Sequence, residues 1–598
     1  MAPKAAPKAA PKAAPEPAPE PASEPASVAL LVTRLERWAE ARPDALAVRH
    51  VDEPRALDRP GATRAVTYAG LYERARRCAA GLRCRLRAGD RALLLFSPGL
   101  DYVCAFLACQ LAGVVAVPLY PPSSRANMDR FVAVATDCAA GAVLTGRVWE
   151  QRCSDTLAAA GAPVPVLTIE SLAEHDPGRP ARTAGDDLAF LQYTSGSTGT
   201  PRGVMVTHRN LAANLVAIGE RFGIGPEDSQ VSWLPPYHDM GLIAGILHPL
   251  YDGVPVTLMS PMEFLRDPLS WLDVVTRFGA TYTGAPNFGY AQCTRRAAGD
   301  RLAALDLHRV RLAFCGSEPI SARVLAEFAG RFAAVGFDAA AYLPGYGLAE
   351  ATLMVSGTAG DGVRVVEVPA AGTGAPAQHT VALGAPVRDT EVRIVDPDTG
   401  VPVAAGAVGE VWVRGPGVAA GYWRDAAGTR AVFGARLRPD DGRVPFLRTG
   451  DLGFLAAGRL CICGRIKDLL IVAGRNVHPQ DIEAAAWSVD ERLRPGGSAA
   501  FAVGGPAEPR VVVVQECVEP VAAAPAPALL ASLAAAVRTA VQASVGVEVE
   551  DVVLVAPRSV PRTTSGKVRR SAARQAYHAG AFERLGGGPH DSHEGMDR

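Results

Sequence analysis

Leu191-Gln-Tyr-Thr-Ser-Gly-Ser-Thr-Gly-Thr-Pro-Arg-Gly-Val-Met-Val-Thr-His-Arg-Asn210 decides how the rest of the chain is read. The apolar run Leu188 to Leu191 reads as a strand that empties into glycines and hydroxyls, and Val204, Met205 and Val206 restore a strand pattern. Gly196, Gly199 and Gly203 let the backbone approach a ligand closely. Thr194, Ser195, Ser197, Thr198 and Thr200 supply hydroxyl and amide donors, and Arg202 adds positive charge. That is the composition of a polyphosphate cradle. It is not the Gly-x4-Gly-Lys-Ser/Thr loop of the NTPases, because Pro201 stands where that spacing requires glycine. A flexible Gly/Ser linker has a similar composition, but linkers rarely run between two apolar strands.

Upstream, the pattern alternates between helix and strand. Leu31, Leu35 and Trp38 mark an amphipathic helix ended by Arg42-Pro43, and Thr67-Tyr68 opens a second one through Leu71, Ala75, Cys78 and Leu82. Ala92 to Phe96 reads as a buried strand. Tyr102 to Tyr120 is apolar enough to suggest a membrane span, yet Gln110 interrupts it and Gly113 splits it into a helix and the strand Val114 to Val117. Such alternation predicts an α/β fold with mainly parallel sheets covered on both faces, and a ligand site at the carboxyl ends of the strands.

Downstream, Thr207 can cap a helix carrying Leu211, Leu215 and Val216. In Val231-Ser-Trp-Leu-Pro-Pro-Tyr-His-Asp-Met-Gly-Leu-Ile243, two prolines fix a turn that presents Tyr237, His238 and Asp239 together at the end of a strand. His238 reads either as a substrate contact or as a histidine satisfied by a backbone carbonyl. Gly284-Ala-Pro-Asn-Phe-Gly-Tyr290, Leu312-Ala-Phe-Cys-Gly-Ser-Glu-Pro-Ile320 and Tyr342-Leu-Pro-Gly-Tyr-Gly-Leu-Ala-Glu350 are each a short apolar strand ending in Gly or Pro and one or two functional side chains, as expected where strands deliver loops to one cleft. Met354 to Ala382 shows little periodicity. Val392 to Asp396 and Gly409 to Arg414 predict a small antiparallel subdomain. Towards the end, strands at Val511 to Val514 and Val552 to Val555 flank an Ala-rich helix from Leu529 to Val541.

These motifs, in this order, resemble the adenylate-forming superfamily and within it the fatty acyl-AMP ligases, over nearly all of Val28 to Leu585. The resemblance implies a large N-terminal adenylating domain over 28–464 with a small β subdomain. It also implies a small, mobile α+β C-terminal domain over 465–585, with a hinge at Lys467-Asp468. The phosphate-loop residues Thr194, Ser195, Gly196, Ser197, Thr198 and Gly199 would bind ATP. Gly316, Ser317 and Glu318 would edge the adenine, with Tyr346 stacked on it beside Gly347. Asp451 would accept from the ribose hydroxyls, Arg465 would lie near the nucleotide, and Glu350 with Thr194 would hold Mg2+. Lys567, in Pro561-Arg-Thr-Thr-Ser-Gly-Lys567, would be the catalytic lysine, assisted by His238 and Arg202; the family usually has Lys at the last position, so a point charge becomes a planar fork. Amino-acid adenylating domains carry an Asp near the place of His238, so its replacement disfavours amino-acid substrates.

The implied reaction is fatty acid plus ATP to acyl-AMP and pyrophosphate. Transfer to the phosphopantetheine thiol of an acyl carrier protein, or of a polyketide or peptide synthase carrier domain, would follow. Fatty acyl-AMP ligases carry an insertion near Met354 to Ala382 that is thought to hinder the CoA-using closure. The stretch here is longer than a plain crossover and shorter than that insertion. An acyl-CoA synthetase would share every nucleotide motif, whereas a non-catalytic binder would have lost Lys567, Glu350 or the loop.

The whole-chain numbers agree with a site-driven enzyme. Lys+Arg and Asp+Glu both total 61 in 598 residues, so nothing global points to nucleic acid or an anionic membrane. Eleven cysteines without paired spacing suggest free buried thiols in a reducing, cytoplasmic setting. Residues 1–27, almost wholly Ala, Pro, Lys and Glu, cannot bury a core and are expected to be a disordered tail, as is the end from 586 to 598.

Overall fold

The computed structural model describes residues 28–586 apart from 195–200, 370–378, 473–474, 505–508, 524–525 and 564–566, and apart from the side chains of Ile471, Arg475, Asn476 and Pro520. The glycine loop from Ser195 to Thr200 and, but for Gly586, the two terminal segments therefore lie outside the described residues. Leu188–Thr194 and Arg202–Thr207 pair antiparallel, with Thr194 opposite Arg202. They close a six-stranded sheet in the order Val166–Thr168, Ala142–Thr145, Arg91–Leu95, Val115–Leu119, Leu188–Thr194, Arg202–Thr207, parallel but for the last. The apolar run before them divides as its glycine predicts. Gly113, at φ 71°, ends the helix Leu100–Ala112 in the left-handed region, and Val115–Leu119 follows as a strand. Gln110, the polar residue in that helix, donates to the Ala189 carbonyl at 2.9 Å.

The remaining N-terminal strands form a second sheet of eight, ordered Met354–Gly357, Tyr342–Gly347, Leu312–Cys315, Tyr282–Ala285, Gln230–Ser232, Val256–Met259, Leu46–Val51, Thr63–Thr67. The six central strands are parallel and each edge strand is antiparallel. Parallel strands send all their carboxyl ends to one rim, so the loops carrying His238, Glu318 and Glu350 emerge together. The antiparallel unit expected after Val392 is a four-stranded sheet of Glu391–Val395, Gly409–Arg414, Leu447–Ala456 and Arg459–Arg465.

The described parts of Met354 to Ala382 include strands that the composition of the stretch does not suggest. Val365–Glu367 and His379–Val381 pair antiparallel, and Ala382 packs with Phe454, Cys461 and Cys463. Period-two patterning is invisible in strands of three residues.

Beyond Leu470 a separate apolar core gathers around a mixed three-stranded sheet of Leu493–Val503, Arg510–Cys517 and Val549–Val555. The helix Pro527–Val545 crosses between its two parallel strands. By length and apolarity alone this helix could cross a membrane, but its stripe of Leu530, Leu533, Val537, Val541 and Val545 is buried against the sheet, which accounts for its hydropathy. All eleven cysteines are free, and only Cys84 is exposed.

Directly after the phosphate-loop hairpin, Thr207 and Asn210 form a reciprocal capping box at the start of His208–Phe222. His208 is 3% exposed, and its Nδ1 has no partner among the described residues. Burial pushes its imidazole down to about 4, with Asp187 opposing. A folded-state value below the unfolded one means stability that is complete above about pH 6.5 and is lost as pH falls through about 4. Between about pH 7 and 4.5, urea denaturation of a His208→Gln variant should show roughly 2–3 kcal/mol less loss of stability than the wild type. Equal losses in the two proteins would dismiss His208 as an acid-sensitive element.

Candidate active site

The strand Gln230–Ser232 ends in the loop that carries His238, and three neighbours pin this loop. Gln192, from the strand feeding the glycine loop, donates to the Tyr237 carbonyl at 3.0 Å; Tyr102 donates to the Pro236 carbonyl at 2.6 Å; and the Tyr237 ring lies 3.8 Å from that of Tyr120. Beneath the loop Trp233 stacks on Phe264 at 3.6 Å and 8°. The turn expected here is followed at once by a π-helix, Met240–Leu247, capped by Asp239 and wholly buried. Such widened turns are frequent at functional sites. Gly241 makes the close fold possible, since a Cβ there would stand 2.1 Å from the Pro235 carbonyl oxygen.

The His238 ring meets a neighbouring carboxylate: its Nδ1 lies 2.6 Å from Asp239 Oδ1. Burial drives the Asp239 carboxyl upward, but His238, Lys567 and the Met240 amide together outweigh it and hold the group below the usual range. An ionised Asp239 only accepts, so Nδ1 donates to it and Nε2 remains for another partner.

Gly316, Ser317, Glu318 and Gly347 lie at the ends of neighbouring strands of the same sheet. Gly316 is tightly packed, with a Cβ there 3.1 Å from the Gly345 carbonyl oxygen, and Ser317 sits at φ 69°, a rare conformation for a residue with a side chain. Glu318 accepts from the Phe288 amide at 2.6 Å; burial raises its carboxyl against the pull of that amide, Lys567 and Arg562. A Cβ on Gly347 would stand 1.9 Å from the Leu353 carbonyl oxygen, so only glycine fits that strand.

Tyr346, expected to stack on the adenine, donates its hydroxyl to Asp451 Oδ2 at 2.5 Å. Arg465 donates to Asp451 Oδ1 at 2.7 Å, joining neighbours across the strands Leu447–Ala456 and Arg459–Arg465. Lys567 is exposed to the solvent of the cleft. Protein crowded around it lowers its ammonium below the usual lysine range, with Asp239 the first opposing charge, Arg465 adding to the lowering, and Asp451 and Glu318 resisting it. Lys567, Asp239, Asp451 and Glu318 thus converge from residues up to 328 positions apart, the separation of Asp239 and Lys567.

Glu350, on the single turn Ala349–Ala351, accepts from the Tyr422 hydroxyl at 2.9 Å. Tyr422 also carries Arg202 over its ring at 5.3 Å, and Arg202 Nε lies 4.0 Å from Asp425, the cap of Ala426–Phe433. Sequence reasoning missed Tyr422 and Asp425. They arrive because Ala420 to Trp423 hydrogen-bonds along the free edge of Arg202–Thr207, through Met205 to Gly421 at 2.8 Å and Trp423 to Gly203 at 2.8 Å. Nothing local in the sequence announces a pairing over such a distance. Among the described residues no group of three or more His, Cys, Asp and Glu forms a metal cage. Mg2+ needs none, since it takes one or two carboxylates with phosphate oxygens; Glu350, which Tyr422 links to Arg202 of the phosphate-loop hairpin, and Thr194 at the end of that hairpin would be the residues to hold it.

Comparison with known proteins gives this geometry its family. The model of the AMP-binding enzymes matches residues 35–423. The chain is 38% identical over 580 residues, 92% of this chain and 98% of the other, to FadD25 of Mycobacterium tuberculosis, named a fatty-acid–CoA ligase. It is 36% identical, over 87% of this chain and 90% of the other, to JamA of Moorena producens, named a medium-chain-fatty-acid–[acyl-carrier-protein] ligase. A solved structure from work on fatty acyl-adenylate ligases of E. coli and L. pneumophila superposes with a TM-score of 0.82 at 33% identity, covering 92% of this chain and 98% of that one. The chain therefore belongs to the AMP-binding enzyme family, in its fatty acyl-AMP ligase branch.

Proposed function

We propose that this enzyme joins a fatty acid to ATP as acyl-AMP with release of pyrophosphate, and then passes the acyl group to the phosphopantetheine thiol of a carrier protein. The observation that carries the first step is the meeting of Lys567 with Asp239, Glu318 and Asp451, beside the His238 loop, in one cleft. An ionised carboxylate needs no general base. The chain's task is to hold it in line with the α-phosphorus and to neutralise the charge that develops there. His238, oriented by Asp239, offers Nε2 to the carboxylate. Lys567 supplies a cation, and Thr194 and Arg202 stand at the mouth of the phosphate loop. Mg2+, held by Glu350 and Thr194, would draw charge from the phosphate oxygens.

The acceptor is the finer question, and two relatives differ on it, one named for CoA and one for a carrier protein. Within the Met354 to Ala382 stretch, where the family carries its insertion, the strands Val365–Glu367 and His379–Val381 pair, and the carrier reading takes them as a short form of that insertion. The pair is fastened beside the strand that leads to Arg465, through Thr380 to the Ile462 carbonyl at 2.9 Å and Leu383 to the Leu460 carbonyl at 2.7 Å. By the family resemblance, an insertion fastened there would hinder the CoA-using closure. A carrier adds its own docking surface and raises the local thiol concentration. With ATP, Mg2+ and a panel of fatty acids, purified enzyme should accumulate acyl-AMP that added CoA leaves intact and phosphopantetheinylated carrier protein consumes. Rapid, stoichiometric acyl-CoA formation would overturn this in favour of the synthetase.

A further inference from the structure

Arg570 opens the helix Arg570–His578, three residues after Lys567, where the adjacent Arg569 and Arg570 could from the sequence be only a solvated basic helix start. Its neighbour Arg569 is indeed exposed, but Arg570 is not. Its guanidinium grips Glu483 with two parallel bonds of 2.7 Å and 2.7 Å, and donates a third, also 2.7 Å, to Asp468 Oδ2. The side chains of Arg570 and Glu483 are 17% and 12% exposed. Glu483 also accepts from the Ala500 amide at 3.0 Å. One half-buried cation thus fastens four elements: the turn Ile466–Asp468, the helix Pro479–Ser488, the strand Leu493–Val503 and the segment bearing Lys567.

The position of Asp468 gives this knot its meaning. Arg465 is held on the opposite side, by Asp451 of the sheet that reaches the nucleotide candidates. Between the two anchored residues stand only Ile466 and Lys467. The reach of Lys567 into the cleft is therefore set through a short rigid path: Asp451 to Arg465, across two residues to Asp468, and through Arg570 back to the turn of Lys567. A planar fork suits such a node because it fixes direction as well as distance, which an ammonium does not.

We infer that Arg570 is a positioning residue for adenylation, locking the Lys567 turn to the Asp468 end of the interdomain linker so that the lysine arrives in register with the substrate carboxylate and the α-phosphate. The inference rests on the adenylation reading above. A shift of about 1 Å at a reacting group costs on the order of a hundredfold in rate. Arg570→Gln should accordingly lower kcat for fatty-acid-dependent pyrophosphate release roughly 30-fold, with KM for ATP changed less than about twofold. Arg570→Lys should recover part of that loss.

The deciding measurement repeats Arg570→Gln in a Lys567→Ala background, using enough enzyme to follow the residual rate. If Arg570 acts through Lys567, the second substitution changes that rate less than about twofold, because there is no lysine left to misplace. A general loss of folded enzyme would lower both backgrounds by the same factor. Asp468→Asn, at a side chain 31% exposed, removes only the linker contact and serves if Arg570→Gln does not fold; it should lower kcat in the same non-additive way. Equal losses in both backgrounds, or unchanged rates in Arg570→Gln and Asp468→Asn, overturn the inference. A wild type that makes no acyl-AMP would instead overturn the reading beneath it.

Discussion

Lys567→Ala is expected to cut carboxylate-dependent pyrophosphate release about a thousandfold while leaving ATP binding largely intact. A unit charge about 4 Å from the reacting phosphate is worth roughly 4 kcal/mol at an effective dielectric near 20, or about three decades in rate. The charges around Lys567 are those of Asp239, Glu318, Asp451 and Arg465, so removing the ammonium leaves the carboxylates there with one guanidinium to balance them. Repulsion then falls on the transition state, where charge accumulates, more than on the ground state, and kcat suffers more than KM. Pyrophosphate release at the wild-type rate would remove Lys567 from the mechanism.

Glu350→Gln should raise the Mg2+ concentration needed for half-maximal adenylation by at least the 10–100-fold that losing even an outer partner of a metal ligand costs. The substitution keeps shape and removes charge. The amide oxygen can still accept from Tyr422, so the turn at Ala349–Ala351 and the neighbouring Arg202 keep their places. The second readout is Mg2+-dependent protection of the protein against thermal unfolding in the presence of ATP, which should weaken in parallel. A variant with wild-type Mg2+ dependence would take the metal away from Glu350.

Much of the fold was legible because its signals are local. Gly113 divides an apolar run, Thr207 caps a helix, and strand-length apolar segments end in Gly or Pro before functional side chains. The parts that escaped depend on distance or on very short elements. Tyr422 reaches Glu350 only because a loop from 420 onward pairs with a strand at 202–207. The π-helix at Met240–Leu247 looks like any apolar run until the Pro235 carbonyl is seen against Gly241. Arg570 is indistinguishable in sequence from Arg569, and only tertiary packing separates the anchored side chain from the solvated one.

Asp451 is 4% exposed and arrives with one oxygen taken by Tyr346 and the other by Arg465. A carboxylate oxygen carries two lone pairs, so each of the two has one left. Two remaining acceptors, one on each oxygen of a rigid group, match the paired hydroxyls of a ribose. A sugar lacking either hydroxyl would strand an acceptor away from water, where an unmet lone pair is costly. In the proposed reading, the choice between ribonucleotide and deoxyribonucleotide is thus made by the protein's own prior occupation of Asp451, before any nucleotide enters.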